Sequence, residues 1–290
     1  MISFLDRRGT RLKRLRRVQC VACDLDGTLL RSDNSVSGEV RAAARELMGA
    51  GVQLVLASGR TDGFTREYAE VVGTDAPIIS LNGALVRDSE HGTLAASTLP
   101  AALRDEIDRL QQRGTVPASV SLFTDSGIYV EDENPVIPRY LRSNPEDIHR
   151  ISSLSAHYGE AVLAVLSGGY NAIQQYSVAI SRRFRRKLMR TMYQSGSGAD
   201  LFYLEVKNAA TSKATGLASV LKHFDIHRNA SASIGDYTND IEMCKFAGVS
   251  AAMRNGCDEL KAVTDLVTLR SNEEDGVSEF FRLILSHKAM

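Results

Sequence analysis

Two carboxylates stand two residues apart in Asp24-Leu25-Asp26-Gly27-Thr28, directly after the apolar run 18–23. In an open α/β sheet the ligand site lies beyond the carboxyl ends of the strands, so both acids are expected at a site and not on its scaffold. A pair of this kind suits phosphoryl transfer. One carboxylate attacks phosphorus, while the other protonates the leaving oxygen and then activates water. Gly27 lets the chain turn sharply there. An ordinary Asp-Gly turn accounts for most such tripeptides taken alone, so the weight falls on what else shares that edge.

Three further segments meet that requirement. Ala57-Ser58-Gly59-Arg60 follows a second apolar run, where a hydroxyl and backbone amides can hold a phosphoryl oxygen. Lys213 opens a helical pattern behind Ser212 and adds a full positive charge near that helix's N-terminal dipole. Gly235-Asp236-Tyr237-Thr238-Asn239-Asp240 follows another short apolar run and supplies two more carboxylates. Gathering Asp24, Asp26, Asp236 and Asp240 at one pole is strongly repulsive without a cation. Oxygen-only ligands and a phosphate substrate point to Mg²⁺. The cation and Lys213 together would offset charge on the nucleophile and the transferring group.

The elements that must position these residues alternate regularly. Strands are expected over 18–23, 52–57 and 77–81, and helices over 37–50, with Ser37 a candidate N-cap, and 61–72. The rhythm returns with a helix over 212–223, a strand over 232–235, a helix over 241–246, a strand over 249–252 and a final helix over 276–285. Near-continuous apolar strands between helices imply a parallel sheet covered on both faces. Over 86–200 the texture changes. Strand-like runs at 120–123, 128–130, 161–166 and 201–206 mix with helical stretches at 101–112 and 181–192, broken by Gly168-Gly169 and by Ser195-Gly196-Ser197-Gly198. The expected fold is a doubly wound, Rossmann-like α/β core over 18–85 and 201–290, with an α+β domain inserted over 86–200. Residues 1–17 form a basic N-terminal arm.

Bulk properties exclude several function classes. Thirty-five basic and thirty-five acidic side chains cancel, so no global field attracts nucleic acid or a membrane. No apolar run approaches the length of about 20 residues that spans a bilayer, and the start lacks a signal-peptide core. A cytoplasmic protein is expected. Cys20 and Cys23 form a C-x-x-C within a strand pattern, where residues three apart point to opposite faces and cannot share a metal. The arginines of the arm, Arg7, Arg8, Arg11, Arg14, Arg16 and Arg17, read as a solvated or frayed leader that leaves a small opening for nucleic acid or acidic lipid. A second run, Arg182-Arg183-Phe184-Arg185-Arg186-Lys187 with Arg190, reads first as one charged helix face and second as a cluster that draws phosphorylated substrates. The six histidines form no ligand cluster along the chain, and His149, His157, His223 and His227 are assigned no role.

The order D-x-D-G-T, S-G-R, Lys and G-D-x-x-N-D resembles the haloacid dehalogenase superfamily, and the placement of the insertion resembles its C2 cap class. Leu81-Asn82-Gly83-Ala84, Ala252-Met253-Arg254-Asn255-Gly256 and Asn272-Glu273-Glu274-Asp275-Gly276-Val277 resemble the Cof-type branch. The resemblance implies Asp24 as nucleophile, Asp26 as general acid/base, Ser58 as a phosphoryl contact and Lys213 as the neutralising charge. It implies Mg²⁺ held by Asp24, the Asp26 carbonyl and Asp236, with Asp240 helping through water or from behind. Asn239 matches the position that supports the phosphoryl group or metal loop, and Asn82 is a substrate contact. Arg60 stands open between contacting substrate and pairing with a carboxylate. Arg254 replaces a common glycine and either crowds the rim of the site or contacts an anionic substrate. The implied partner is a small phosphorylated metabolite, such as a sugar phosphate or a phosphorylated cofactor. A phosphomutase or other phosphotransferase would share the first half-reaction, and a non-catalytic binding protein is the third reading.

Overall fold

Apolar residues of the central strands point alternately to two sides, and each side has its own helices. A computed structural model of the protein describes residues 12–112, 118–131, 148–195 and 200–289. These divide into two compact units, one built from the residues before Ala96 and after Thr211, the other from Ala96–Thr211. The chain runs through β1 (Cys20–Cys23), α1 (Gly38–Gly49), β2 (Gln53–Leu56), α2 (Asp62–Val72), β3 (Ile78–Ser80), β4 (Leu85–Asp88) and β5 (Gly92–Ala96). The second unit holds α3 (Ala102–Gln112), β6 (Ser119–Phe123), β7 (Ile128–Glu131), β8 (Ile148–Ile151), β9 (Leu163–Gly168), α4 (Tyr170–Phe184), β10 (Leu188–Gln194) and β11 (Phe202–Asn208). The first unit resumes with α5 (Lys213–His223), β12 (Ser231–Gly235), α6 (Ile241–Phe246), β13 (Val249–Ala252), α7 (Asp258–Val263), β14 (Leu266–Val267) and α8 (Gly276–Lys288).

In the first unit five parallel strands lie in the order β14-β13-β12-β1-β2. Val21 and Cys23 of β1, Leu54 and Leu56 of β2, and Ile234 of β12 pack with Val40 and Leu47 of α1 and Phe280, Phe281 and Ile284 of α8. Cys20, Ala22 and Val55 face the other way, against Leu217, Val220 and Leu221 of α5 and Met243 of α6. The core is therefore doubly wound, and each large side chain fully enclosed in it contributes about 1.5–3 kcal/mol. The same alternation places Cys20 and Cys23 on opposite faces. Both thiols are free, and burial pushes that of Cys20 up to about 12. Ser37 caps α1, its Oγ accepting the Val40 N–H at 3.1 Å.

Strand pairing corrects several expectations. β3 does not join the parallel ladder beyond a single Ala57–Ile79 bridge; it pairs antiparallel with β4 in a three-stranded sheet β3-β4-β5. Leu81, Asn82 and Gly83, at φ 50°, 55° and 89°, turn the chain back at that point. Residues 86–95 thus belong to the first unit. Residues 202–208 belong to the second, because β11 lies antiparallel between β9 and β10. The second unit's six-stranded sheet runs β10-β11-β9-β6-β7-β8, and α3 and α4 share its core through Leu103, Ile107, Ile173, Tyr176 and Ile180.

The helix expected over 181–192 is also overturned. α4 starts at Tyr170 and ends at Phe184; Arg185 sits at φ 43°, and Leu188–Gln194 is strand. The basic run is accordingly split between a helix end, a short 3₁₀ turn and β10, and is no single helix face. At the start of the chain, Leu12–Arg17 is a 3₁₀ helix whose Leu15 is fully buried in the core, and Arg14 donates to the Gly248 carbonyl at 3.2 Å. This part of the arm is docked, not frayed. Arg7, Arg8 and Arg11, like Gly196, Ser197 and Gly198, lie outside the described residues. Among the described residues no helix is long and apolar enough to cross a membrane.

Candidate active site

Register brings the chemistry to one edge. Cys23 of β1 is level with Leu56 of β2 and Ile234 of β12, so Asp24, Ser58 and Asp236 all emerge just past the carboxyl ends of adjacent strands. Gly27 allows the close approach of the first loop to the third. It has φ 76°, and a Cβ there would lie 2.3 Å from Asp236 Oδ2. Gly83 does the same for the start of α5, since its Cβ would lie 2.0 Å from the Ser212 carbonyl oxygen. Ser212 caps α5 through a reciprocal pair with Thr215, which fixes the direction in which Lys213 leaves the helix.

Lys213 is fully buried, and its Nζ donates to Asp24 Oδ1 and, at 2.7 Å, to Asp240 Oδ1. Burial alone would lower the ammonium's pKa, but the Asp24 and Asp240 carboxylates outweigh it and raise it. Oδ2 of Asp240 accepts the backbone N–H groups of Asp236 and Tyr237 at 3.0 and 3.1 Å. Asp240 thereby holds both the lysine and the Asp236 loop. Thr28 Oγ1 donates to Asp236 Oδ1 at 3.4 Å.

Carboxylate oxygens of Asp24, Asp236 and Asp240 lie within 4.8 Å of one another. Three carboxylates against one ammonium leave two negative charges in a largely buried space. The same imbalance acts on the acids themselves. Burial and then the Asp240 charge push Asp24 well above the usual carboxylate range, and the same two causes push Asp236 up to about 6. An all-oxygen donor set with two charges uncompensated fits a hard divalent cation.

Asp26 projects away from this cluster. Its carboxylate is paired with Arg60, which donates from Nε at 2.8 Å and also from Nη2. The guanidinium lies over the Phe64 ring, 3.9 Å from its centroid. Arg60 is thus a carboxylate's partner in this structure. Ser58 is buried, and its Oγ accepts the Arg60 N–H at 3.1 Å. Asn82 accepts from Asn239 Nδ2 at 3.0 Å, so the two asparagines form one polar bridge beside Gly59. Arg254 donates to the Leu269 carbonyl at 3.1 Å and pairs with Glu274 at 2.5 Å.

Two supporting residues received no role in the sequence reading. Asn255 Nδ2 donates to the Gly27 carbonyl at 2.7 Å while its Oδ1 accepts the Asn272 N–H at 3.0 Å. Asn272 Nδ2 in turn reaches the Leu30 carbonyl at 2.9 Å. These bonds tie the loop after β13 and the segment before α8 to the Asp24–Leu30 loop. Their signal was positional: Asn255 follows a strand, as Asp24, Ser58 and Asp236 do.

A family profile described as haloacid dehalogenase-like hydrolase matches residues 21–281. The 5-amino-6-(5-phospho-D-ribitylamino)uracil phosphatase YitU of Bacillus subtilis is 26% identical over 265 residues, covering 90% of this chain and 96% of that protein. Phosphatase YwpJ of the same organism is 26% identical over 288 residues, covering 92% of this chain and all of that one (100%). Among solved structures, a haloacid dehalogenase-like hydrolase from Bacteroides thetaiotaomicron superposes with a TM-score of 0.76 at 23% identity, over 92% of this chain and 99% of its own. A Thermotoga maritima protein superposes equally well, at 0.76 and 25% identity, over 91% of this chain and 97% of its own. With its doubly wound core and the acid-rich edge at the ends of β1, β2 and β12, the chain belongs to the haloacid dehalogenase-like hydrolase family.

Proposed function

We propose that the protein is a Mg²⁺-dependent phosphatase that hydrolyses a small phosphate monoester through an aspartyl-phosphate on Asp24. The observation that carries this reading is the buried Lys213 held against Asp24, with two carboxylate charges left over beside it. Asp24, the main-chain carbonyl of Asp26 and Asp236 would hold the ion, which when bound supplies positive charge against the transferring phosphoryl group.

The chain's own residues do the rest. Lys213 keeps the Asp24 carboxylate oriented and offsets charge on the phosphoryl oxygens. The Ser58 hydroxyl and the amides of its loop bind one of those oxygens. An oxygen of Asp24 forms a bond to phosphorus as the ester oxygen leaves, and Asp26 gives that oxygen its proton. Asp26 then takes a proton from water as the water oxygen attacks the same phosphorus. This releases inorganic phosphate and restores Asp24. For both steps Asp26 must leave Arg60. The two side chains are 49% and 35% exposed, and pairs in that setting hold by only about 0–1 kcal/mol, so the pair opens readily. The inserted unit Ala96–Thr211 is assigned the choice of substrate, the role of a cap.

The substrate class is a small phosphorylated metabolite. Support comes from relatives named for acting on a phosphorylated ribitylaminouracil. The test is phosphate release with Mg²⁺ across that compound, sugar phosphates, flavin mononucleotide and pyridoxal phosphate. Asp24→Asn should abolish release on every ester that the wild type accepts. Undiminished release by that variant, or an isomerised sugar phosphate in place of free phosphate, would overturn the reading.

A further inference from the structure

A second cluster of metal-ligating side chains lies at the opposite edge of the first unit. Asp88 ends β4, His91 follows three residues later in the β4–β5 turn, and His223 ends α5. One ligand atom from each lies within 4.8 Å of the other two. The imidazole rings of His91 and His223 stand edge to face, with centroids 5.2 Å apart. All three residues line a groove of about 380 Å³ that also takes in Gly51 and Gln53, where the chain enters β2. That is the amino end of the parallel strands, whereas Asp24, Ser58 and Asp236 follow their carboxyl ends.

The cluster is built in a particular way. Asp88 is only 7% exposed, and its Oδ1 accepts the backbone N–H groups of Glu90 and His91 at 2.8 and 2.7 Å. The carboxylate is therefore fixed by the turn before any ligand arrives, which is the support that outer partners usually give a metal ligand. His91 Nδ1 lies 2.9 Å from the same oxygen. Both imidazoles are exposed. Bonds of about 2.0–2.1 Å in a tetrahedral site place ligand atoms roughly 3.3 Å apart, so a small rotation of one ring closes the triad. The open groove leaves room for water as a further ligand.

We infer that Asp88, His91 and His223 form a binding site for a divalent transition-metal ion of the Zn²⁺ class, separate from the acid-rich edge. Donor chemistry separates the two places. Two imidazoles and one carboxylate suit Zn²⁺, Co²⁺ or Ni²⁺, whereas the oxygen-only set of Asp24, Asp236 and Asp240 suits Mg²⁺. An ion at Asp88 would staple the β4–β5 hairpin, just before the chain passes into the second unit, to the far end of the helix that Lys213 begins. Its role is structural, and the site needs no part of the proposed chemistry.

The experiment is a titration of the untagged full chain with Co²⁺ and Zn²⁺ in saturating Mg²⁺, read by cobalt absorption and by competition with a chromophoric chelator. One equivalent is expected beyond any taken by the catalytic carboxylates, with a thermal midpoint raised by a few degrees. His223→Ala and His91→Ala should each weaken that equivalent by more than the roughly 10–100-fold that loss of a supporting partner costs. Asp236→Asn should retain it. Both histidines are exposed, so their variants should melt like the wild type without Zn²⁺ and release phosphate at its rate with Mg²⁺ alone. Unchanged Co²⁺ affinity in both histidine variants would overturn the site. So would loss of the equivalent in Asp236→Asn alone, which would place the ion at the other edge.

Discussion

Each unit contains a buried ion cluster, and the two are built as opposites. In the first unit one cation, Lys213, is fully enclosed between the carboxylates of Asp24 and Asp240, with Asp236 beside them. In the second unit one carboxylate, Glu106, is 5% exposed and takes hydrogen bonds from Arg109 and Arg183, which are 43% and 39% exposed. Arg183 also pairs with Asp105 at 3.5 Å, and the arginine heads stay in contact with water, so the charges balance and the cluster is complete. Around Lys213 the excess is negative and enclosed, where solvation cannot remove it. An ion cluster whose charges close holds a fold together. One that stays open, at the ends of strands, marks the place of a ligand.

The sharpest way to break the comparison is at Asp24. If the open cluster exists for chemistry, Asp24→Asn should lower phosphate release by about 10⁴-fold or more while the protein stays folded. A loss of folding in step with activity would make the cluster structural after all. Lys213→Met comes next. It leaves Asp24 and Asp240 buried without their cation, and breaking a buried pair in this way costs about 3–5 kcal/mol. Urea denaturation of the first unit should show that loss, and Mg²⁺ should recover part of it by binding the folded state. Lack of any rescue by Mg²⁺ would argue against a cation among these carboxylates.

How far the sequence announced all this depends on the range of the interactions. Asp24, Ser58, Lys213 and Asp236 each stand at a boundary between a run of regular apolar period and a loop, and parallel register then carries such boundaries to one edge. That logic is local, and it was legible. Asn255 was not assigned a role because its bond to Gly27 spans 228 positions. β10 was read as helix because Arg185–Lys187 continues the composition of α4, while the pairing that makes it a strand comes from Phe202–Asn208. The same pairing moved the second break between the units from residue 201 to Ser212. The first break moved because the β4–β5 hairpin follows β3, not the sheet beyond it. His91 and His223 looked unrelated at 132 positions apart (223 − 91) until a hairpin and a helix end brought them together.

Glu106→Gln tests the closed cluster and should cost less, about 2 kcal/mol, since it removes charge-assisted hydrogen bonds without stranding a buried ion. Its signature is pH dependence. Burial alone would raise the Glu106 pKa, but hydrogen bonds from Arg109 and Arg183 overcome it and hold the group below the ordinary value of 4.5. A carboxylate lowered in the folded state binds its proton more readily when unfolded. Its stabilisation is therefore full above that ordinary value and is lost as pH falls through the lower, folded one. Urea midpoints of the second unit between about pH 6 and about pH 3 should fall less in Glu106→Gln than in the wild type. Parallel curves would show that the glutamate contributes nothing through its charge.

The smallest effect belongs to Arg60→Ala, which cuts an ion pair that sits at the same edge as Lys213 yet resembles the other unit's arginines in exposure. Arg60 and Asp26 are 35% and 49% exposed, so water already solvates both ends of the pair. Exposed pairs contribute about 0–1 kcal/mol, and the contact with Phe64 adds an amount of the same order, about 0.5–1 kcal/mol. Salt separates this from the buried case. At about 1 M ionic strength the screening length shrinks to roughly 3 Å, so the pair's share should shrink and leave mainly the ring contact. Wild type and variant should then converge to within about 0.5–1 kcal/mol. A difference above about 2 kcal/mol that survives high salt would put Arg60 and Asp26 in the class of Lys213 and Asp24. The acid then could not leave its partner readily, and the proton transfers assigned to Asp26 would need another residue.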